Sequence, residues 1–246
     1  MAQRKVENPH DGHRKRLREK YWQGGLDVLS DHEVLELLLG CIIPRGDTNP
    51  AGHALMHHFG SLSNVLDASE RDLKKIQGVG PQSAFWLHLI PEIARRYSLD
   101  RLGKKPRLAT CQHACEYARA LMLGKQAEEL YLLCLDTRFG LNCAVKLQRG
   151  TVDSVPVYTR EVVSGALQGN AKHAILVHNH PSGNARPSQQ DVVMTQQVLQ
   201  ALETIRVHLL DHLIVGDGVC YSFTQSQLVT FAAEEKDLAY AAEEEW

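Results

Sequence analysis

Residues 178–191 read H-N-H-P-S-G-N-A-R-P-S-Q-Q-D. On a β-strand, His178 and His180 are two residues apart, so both imidazoles point to the same face of the sheet. Asp191 follows eleven residues after His180, at the start of a predicted helix. Two imidazoles and one carboxylate are typical ligands of a catalytic zinc ion with an open fourth position, whereas structural sites prefer four ligands and more thiolate. The stretch therefore predicts a metal centre with room for a water molecule.

The sequence on either side of this stretch predicts a sheet covered by helices. The run H-A-I-L-V-H-N-H, residues 173–180, is typical of a buried strand with polar atoms at its far end. Asp217-Gly218 is a hairpin-turn dipeptide between two further strands. The predicted strands are 129–136, 141–148, 151–157, 173–180, 207–215 and 219–223, and the predicted helices are 111–123, 159–167 and 188–205. This mixture of strands and helices indicates an α/β sandwich.

The front half of the chain is predicted to be entirely helical. Ser30-Asp31 is a helix-cap pair before an apolar stripe that includes Val34 and Leu35. Further helices are predicted over 50–59, 62–67, 70–76 and 82–97. A polar, basic segment with one glycine and one proline then marks a linker. We predict an α+β protein with a helical domain over 1–100, a linker over 101–109, a sandwich domain over 110–232 and an acidic tail over 233–246.

Composition and charge indicate a cytoplasmic protein with two different modules. Residues 1–107 carry 17 lysines and arginines against 13 aspartates and glutamates, whereas residues 108–246 carry 10 against 16. A basic front half and an acidic back half favour different partners for the two halves. The six cysteines have no C-x-x-C spacing and predict no disulfide framework. The sequence has no apolar run long enough to cross a bilayer and no secretory signal.

A glycine turn lies between two of the helices predicted in the front half. Gly78-Val79-Gly80 permits positive φ and a close approach of the backbone, and Lys74 and Lys75 lie just before it. Amides of such a turn and of the next helix's first residues form an anion site that suits a phosphate. The segment resembles the helix-hairpin-helix, which binds DNA without sequence specificity. The resemblance implies that these five residues bind DNA phosphates; the alternative is a hairpin that serves packing or a protein contact.

The spacing of the metal motif matches one class of hydrolase. From His178 onwards the pattern is H-x-H, seven residues, Ser188, two residues and Asp191. This resembles the JAMM (MPN/JAB) motif of zinc-dependent isopeptidases and related hydrolases. Asn179 stands where the isopeptidases usually have Ser or Thr, a difference that leaves the ligands unchanged but weakens the analogy in substrate.

Further segments extend this resemblance to the RadC family. They are L-D-T-R at 135–138, R-G-T-V at 149–152, R-E-V-V at 160–163, H-N-H-P-S-G at 178–183 and D-H-L-I-V-G-D-G at 211–218. The resemblance covers roughly residues 10–230. It implies a JAMM-type domain with a cytidine-deaminase-like α/β/α sandwich, preceded by a helix-hairpin-helix region. The family's label as DNA repair proteins is an association rather than a mechanism.

The resemblance implies roles for the motif residues. His178, His180 and Asp191 would hold the metal, and Ser188 would stabilise the zinc-bound water or a developing oxyanion. Each residue also has a structural alternative. Ser188 and Asp191 satisfy the capping box S-x-x-D, which needs no metal, and the two histidines could be polar ends of a buried strand. His212 either orients a ligand or bonds within the core, and we favour the core role.

The motif also requires an upstream glutamate as general acid and base. The family-like pattern E-x7-D places it at Glu128, eight residues before Asp136. Glu161 is the second candidate because its predicted helix leads to the metal-binding strand. Glu129 is the third candidate, since on a strand it would face the side opposite to Glu128.

The leading hypothesis is a DNA-associated, zinc-dependent hydrolase that cleaves an amide or isopeptide bond in a protein substrate. The helical front half would bind the DNA backbone and bring the hydrolase to substrates held nearby. One alternative is a metal-dependent nuclease, although the acidic back half disfavours it. A second alternative is a zinc-binding scaffold without catalytic activity that is recruited to DNA.

Overall fold

The computed structural model describes residues 12–147 and 155–231, with residues 155–158 described by their backbone alone. The chain divides after Ala94 into two compact units, each with its own hydrophobic core. This division falls inside a helix, Pro81–Arg101. The acidic tail predicted over 233–246 lies outside the described residues.

The front unit is helical, as predicted. Its helices are α1 (His13–Gly24), α2 (Asp31–Ile42), α3 (Asn49–Phe59), α4 (Leu62–Asp67), α5 (Glu70–Leu73) and the first part of α6 (Pro81–Arg101). Ser30 and Glu33 form the capping box of α2, and Ser61 and Ser69 accept amide hydrogen bonds at the starts of α4 and α5. The sequence does not reveal α1, because half of its residues are charged and its buried residue is Leu17.

The back unit is built on a mixed sheet. Its further elements are α7 (Cys111–Met122), β1 (Leu130–Leu135), β2 (Leu141–Leu147), α8 (Val155–Gln168), β3 (His173–Asn179), α9 (Gln189–Thr204), β4 (His208–Val215), β5 (Val219–Ser222) and β6 (Gln227–Thr230). Within the described residues the strand order is β2-β1-β3-β4-β5-β6. β3 and β4 are parallel, and all other neighbouring strands are antiparallel.

The two faces of this sheet are covered by different helices. Leu133, Val177 and Leu213 share one core with α7, and Leu132 and Leu176 share another with α8 and α9. Neighbouring residues of one strand thus enter opposite cores, as the two-residue period of a β-strand requires. The predicted α/β/α sandwich is confirmed.

Two predictions of strands differ from the structure. The strand predicted over 151–157 is wrong at 155–157, where α8 begins, while residues 151–154 lie outside the described residues. The alternating β-branched residues imitate a strand, but Pro156 lies in the first turn of a helix, where a missing N–H is tolerated. β6 was not predicted because Q-L-V-T is mostly exposed and has no buried alternation.

None of the helices in the described parts of the chain combines the length and the apolar character needed to span a membrane.

Candidate metal centre

Three side chains of the 178–191 stretch converge at the end of β3. His178 Nε2 lies 2.9 Å from His180 Nε2 and 3.2 Å from Asp191 Oδ1, and His180 Nε2 lies 3.5 Å from Asp191 Oδ2. Ligand atoms at about 2.0–2.1 Å from a tetrahedral ion are about 3.3 Å apart from one another. The three separations bracket this value. The structure therefore brings the three predicted ligands together as a His-His-Asp group that could bind a metal.

Backbone hydrogen bonds set the path of the chain between these ligands. His180 N donates to Val215 O over 3.0 Å, which extends the parallel pairing beyond the end of β3. Gly183 N donates to His180 O over 2.9 Å and closes a turn in which Gly183 has a φ of 80°. Glycine adopts this conformation without the strain that a Cβ would cause. The turn leads the chain towards Ser188, the cap of α9.

Hydrogen bonds on the far side of each ring orient the two imidazoles. His180 Nδ1 lies 2.7 Å from the backbone carbonyl of Asn184, and His178 Nδ1 lies 2.8 Å from His212 Nε2. Because a carbonyl only accepts, neutral His180 carries its proton on Nδ1 and presents the lone pair of Nε2 to the centre.

His212 is a fully buried residue of β4 that contacts a candidate ligand. Burial, together with the nearby His178, holds the pKa of His212 well below its usual range, so the ring is neutral. The sequence favours a core role for His212, and the structure places it both in the core and against His178. Its other ring nitrogen lies 2.6 Å from the Oγ1 atom of Thr195, a residue of α9 that the sequence motif does not include. Thr195 lies one helical turn after Asp191, but this spacing alone does not predict its contact with His212, which depends on how the strands pair.

Asp191 is the carboxylate of the group and is only 5 % exposed. Burial raises its pKa, but contacts with His178 and Ser188 outweigh burial, so the pKa of Asp191 lies well below its usual range. Ser188 Oγ donates to Asp191 Oδ2 over 2.7 Å and accepts from Asp191 N over 3.2 Å. The capping box considered as an alternative to a metal motif is therefore present, and it holds the carboxylate beside the imidazoles.

Glu129, the third candidate for the general base, has its carboxylate on the face of the sheet opposite to His178. Leu130 pairs with His178 across β1 and β3, so these two residues share a face of the sheet. The carboxylate of Glu129 instead lies 2.8 Å from Lys146 Nζ and accepts from Tyr131 OH over 2.8 Å. Burial raises the pKa of Glu129, but these partners outweigh burial and lower it.

The other two glutamates lie beside elements of the His178 face. Glu128 is exposed and lies in the loop that leads into β1, two residues before Leu130. Glu161 lies one helical turn before Gly165 of α8. A Cβ at Gly165 would lie 3.2 Å from Val145 and 3.8 Å from Leu132, so this face of α8 packs on the sheet.

The predicted DNA-binding turn lies between α5 and α6. α5 ends at Leu73, and turns carry the chain to Pro81. Gly78 has a φ of 88°, and a Cβ there would lie 3.0 Å from the Cβ of Ala51. Both facts require glycine at position 78.

The residues of this turn differ in exposure. Lys74, Gly78 and Gly80 are exposed, and Lys75 forms an ion pair with Asp72 at 2.6 Å. Val79 has a buried side chain, and its amide donates to Ile76 O over 3.1 Å. A phosphate at this turn would therefore meet the glycines and Lys74 more readily than Val79.

A three-layer sandwich with a His-His-Asp group at the end of its parallel strand pair defines the class of the back unit. Residues 108–228 match the model of the RadC-like JAB domain, and residues 12–85 match that of the UPF0758 N-terminal domain. A UPF0758 protein of Rhodobacter capsulatus is 39% identical over 213 residues, which cover 87% of this chain and 100% of the relative. A UPF0758 protein of Ruegeria pomeroyi is 39% identical over 211 residues, which cover 86% and 94%. The chain belongs to the RadC-like UPF0758 family.

Proposed function

We propose that the chain is a zinc-dependent hydrolase of the JAB type. The observation that carries the proposal is the triangle formed by the Nε2 atoms of His178 and His180 and the carboxylate of Asp191. His180 Nε2, which carries a lone pair, lies 3.5 Å from the negatively charged Asp191 Oδ2. A cation between the two atoms would stabilise this arrangement. Imidazoles favour zinc over magnesium or calcium, which prefer oxygen ligands, and three protein ligands leave a position open for chemistry.

Each of the residues around the proposed metal has its own role in hydrolysis. When bound, zinc supplies a water whose pKa is about 7. Glu128 takes a proton from the attacking water and later donates it to the leaving amine. The hydroxyl hydrogen of Ser188, which is donated to Asp191 Oδ2 before substrate binds, turns to the oxyanion that develops on the substrate carbonyl. One water is thereby added across an amide bond, which yields a carboxylate and a protonated amine.

The sheet geometry supports Glu128 as the general base. Glu128 lies in the loop just before Leu130, the strand partner of His178, whereas Glu129 is held on the other face by Lys146 and Tyr131. Glu161 remains the second candidate because α8 packs on the His178 face.

We further propose that the scissile bond is an amide or isopeptide bond of a protein held near DNA. The exposed Gly78, Gly80 and Lys74 of the front unit would contact the DNA backbone. All six cysteines are free, which suits a reducing compartment, and we propose the cytoplasm.

Metal analysis and hydrolysis assays on the full chain test this proposal. We expect about one zinc per chain, which three protein ligands and an open position would hold. Loaded protein should cleave fluorogenic peptides that contain an Nε-acyl-lysine isopeptide bond, and H178A or D191A should bind no zinc and cleave nothing. Nicking of plasmid DNA would favour a nuclease instead, and bound zinc without turnover on either probe would favour a scaffold.

A further inference from the structure

A chain of hydrogen bonds connects two candidate ligands through residues that are not ligands. Thr195 Oγ1 lies 2.6 Å from the backbone carbonyl of Asp191 and 2.6 Å from His212 Nδ1. His212 Nε2 lies 2.8 Å from His178 Nδ1. The ring of His212 is also stacked on Phe223, with centroids 4.7 Å apart and planes at 10°, so its orientation is fixed by packing.

The direction of these hydrogen bonds follows from the Asp191 carbonyl at one end of the series. The carbonyl of Asp191 can only accept, so the single hydroxyl hydrogen of Thr195 is donated to it. Thr195 Oγ1 then accepts at its other contact, which requires the hydrogen of neutral His212 to be on Nδ1. Nε2 of His212 is therefore an acceptor.

The same reasoning sets the hydrogen of His178. Since His212 Nε2 accepts, Nδ1 of His178 donates, and the proton of neutral His178 lies on Nδ1. Its Nε2 then presents a lone pair towards His180 and Asp191. The reverse direction would place the lone pairs of Thr195 Oγ1 and the Asp191 carbonyl against each other at 2.6 Å without a hydrogen between them. The Nε2 lone pairs of His178 and His180 also face each other, at 2.9 Å, but there the proposed metal would accept both.

We propose that Thr195 and His212 are positioning residues that hold His178 in the Nδ1–H tautomer and thereby present its Nε2 to the metal. This inference rests on the proposed function, since it concerns the same centre. The chain begins at the backbone of one ligand and ends on the ring of another, so it also couples the position of α9 to that of β3. His180 reaches the same tautomer independently, through the carbonyl of Asn184.

The effect of these residues should appear in metal affinity. Hydrogen-bond partners of metal-ligating histidines typically change metal affinity by about 10–100-fold when they are removed. T195V keeps the shape of the side chain but removes both hydrogen bonds, so we expect it to weaken zinc binding within that range. T195S keeps the hydroxyl and should bind zinc nearly as tightly as the wild type.

The matched control is Thr204, near the end of the same helix. Its hydroxyl donates to Ala201 O over 2.7 Å, but it lies in the last turn of α9, away from the ligands. T204V therefore makes the same chemical change without touching the centre, and its zinc affinity should equal that of the wild type. H212Q and H212L form a second pair, because the glutamine can accept from His178 Nδ1 and the leucine cannot.

The experiment combines the tautomers of the metal-free protein with chelator competition for zinc. Two-bond ¹⁵N–¹H correlation spectra of the full chain at pH 8 should show Nδ1–H for His178, His180 and His212. In T195V and H212L the signals of His178 should shift towards a mixture of tautomers, while His180 stays unchanged.

Three outcomes overturn the inference: an Nε2–H tautomer at His178 in the wild type, equal zinc affinity of T195V and T204V, or equal affinity of H212Q and H212L. If a variant fails to fold, the inference is still tested by the tautomer of His178 in the wild type and by the zinc affinity of T195S. Wild-type protein that binds no zinc would contradict the proposed function and leave the tautomer of His178 as a separate result.

Discussion

Ser188 and Asp191 hold each other in place: the hydroxyl of Ser188 donates to Asp191 Oδ2 over 2.7 Å, and the amide of Asp191 donates to Ser188 Oγ over 3.2 Å. The serine thus caps α9 and orients a candidate metal ligand with the same atom. A local capping motif and a metal motif are therefore not competing interpretations at this position. The cap fixes the rotation of the first helical turn, and this rotation directs the carboxylate towards the imidazoles.

S188A should have two separable effects. Loss of the cap should lower the free energy of unfolding of the metal-free protein by about 1 kcal/mol, as measured by urea unfolding in the presence of a chelator. Loss of the bond to Asp191 should also weaken zinc binding. T110A is the control, because Thr110 caps α7 by accepting from His113 N over 3.2 Å. T110A should lower the free energy of unfolding by a similar amount and leave zinc affinity unchanged. If T110A weakened zinc binding as much as S188A, a local role of Ser188 would be contradicted.

G183A should damage the turn between the two motif segments. Gly183 has a φ of 80°, and a Cβ there would meet the carboxylate of Asp217, the end of an exposed side chain that can turn away. Gly218 also has a positive φ, 68°, but a Cβ there would meet nothing within 4 Å. G218A should therefore cost about 1–2 kcal/mol of unfolding free energy from backbone strain alone. G183A should cost a similar amount of unfolding free energy, because its φ is also positive, and it should in addition weaken zinc binding, because the strained turn lies next to His180 and leads to Ser188. Equal zinc affinities of the two variants would contradict a role of the Gly183 turn in placing the candidate ligands.

The convergence of the three candidate ligands could be predicted from the sequence because their geometry is local. His178 and His180 share a face through the period of the strand, and Ser188 fixes Asp191 through a capping box three residues long. The contact between His178 and His212 could not be predicted in this way. It depends on the parallel register of β3 and β4, in which Leu176 pairs with His212 after an irregularity near Ala174.

The sandwich itself was predictable from alternating apolar segments, whereas its edges were not. β6 is an edge strand with exposed side chains, so its sequence lacks the buried alternation that identifies a strand. α8 begins at Val155-Pro156 with a run of residues that favour strands, and only the packing of the helix on β1 and β2 decides in its favour.

E128Q should keep zinc and lose turnover. The substitution removes the carboxylate that would accept a proton from the attacking water, and general acid–base groups typically contribute about 10²–10⁴-fold to the rate. E129Q is the neighbouring control. It disturbs the ion pair with Lys146 on the other face and should leave turnover on the isopeptide probe close to that of the wild type. If E128Q remains active and E161Q does not, Glu161 is the general base.

Protonation of Glu33 at low pH should measurably lower the free energy of unfolding of the front unit. Hydrogen bonds from Lys20 and from the amide of Ser30 lower the pKa of Glu33 to about 2. Because the folded-state pKa lies below the ordinary value of about 4.3, the unfolded chain binds the proton more readily. The stabilisation is therefore complete above about pH 4.3 and is lost as the pH falls towards about 2.

The measurement is the difference in urea midpoint between the wild type and E33Q from pH 6 to pH 2. The difference should be largest at pH 6 and should disappear near the lower end. E19Q is the control, since the Glu19 carboxylate is more exposed and lies 3.7 Å from Lys15. A difference for E33Q that does not change with pH would contradict the ion pair with Lys20.

Binding of duplex DNA by the full chain should be tolerant of sequence and steeply dependent on salt. Each phosphate contact that is lost reduces the slope of log K against log salt by about 1, because fewer counterions are released. Lys74 is exposed next to the Gly78 turn, so K74Q should lower the slope by about that amount and weaken binding equally on unrelated sequences. K104Q removes an exposed lysine of the other unit and should leave the slope unchanged. Binding that is insensitive to salt, or equal slopes for the two variants, would instead indicate that the α5–α6 turn serves packing or a protein contact.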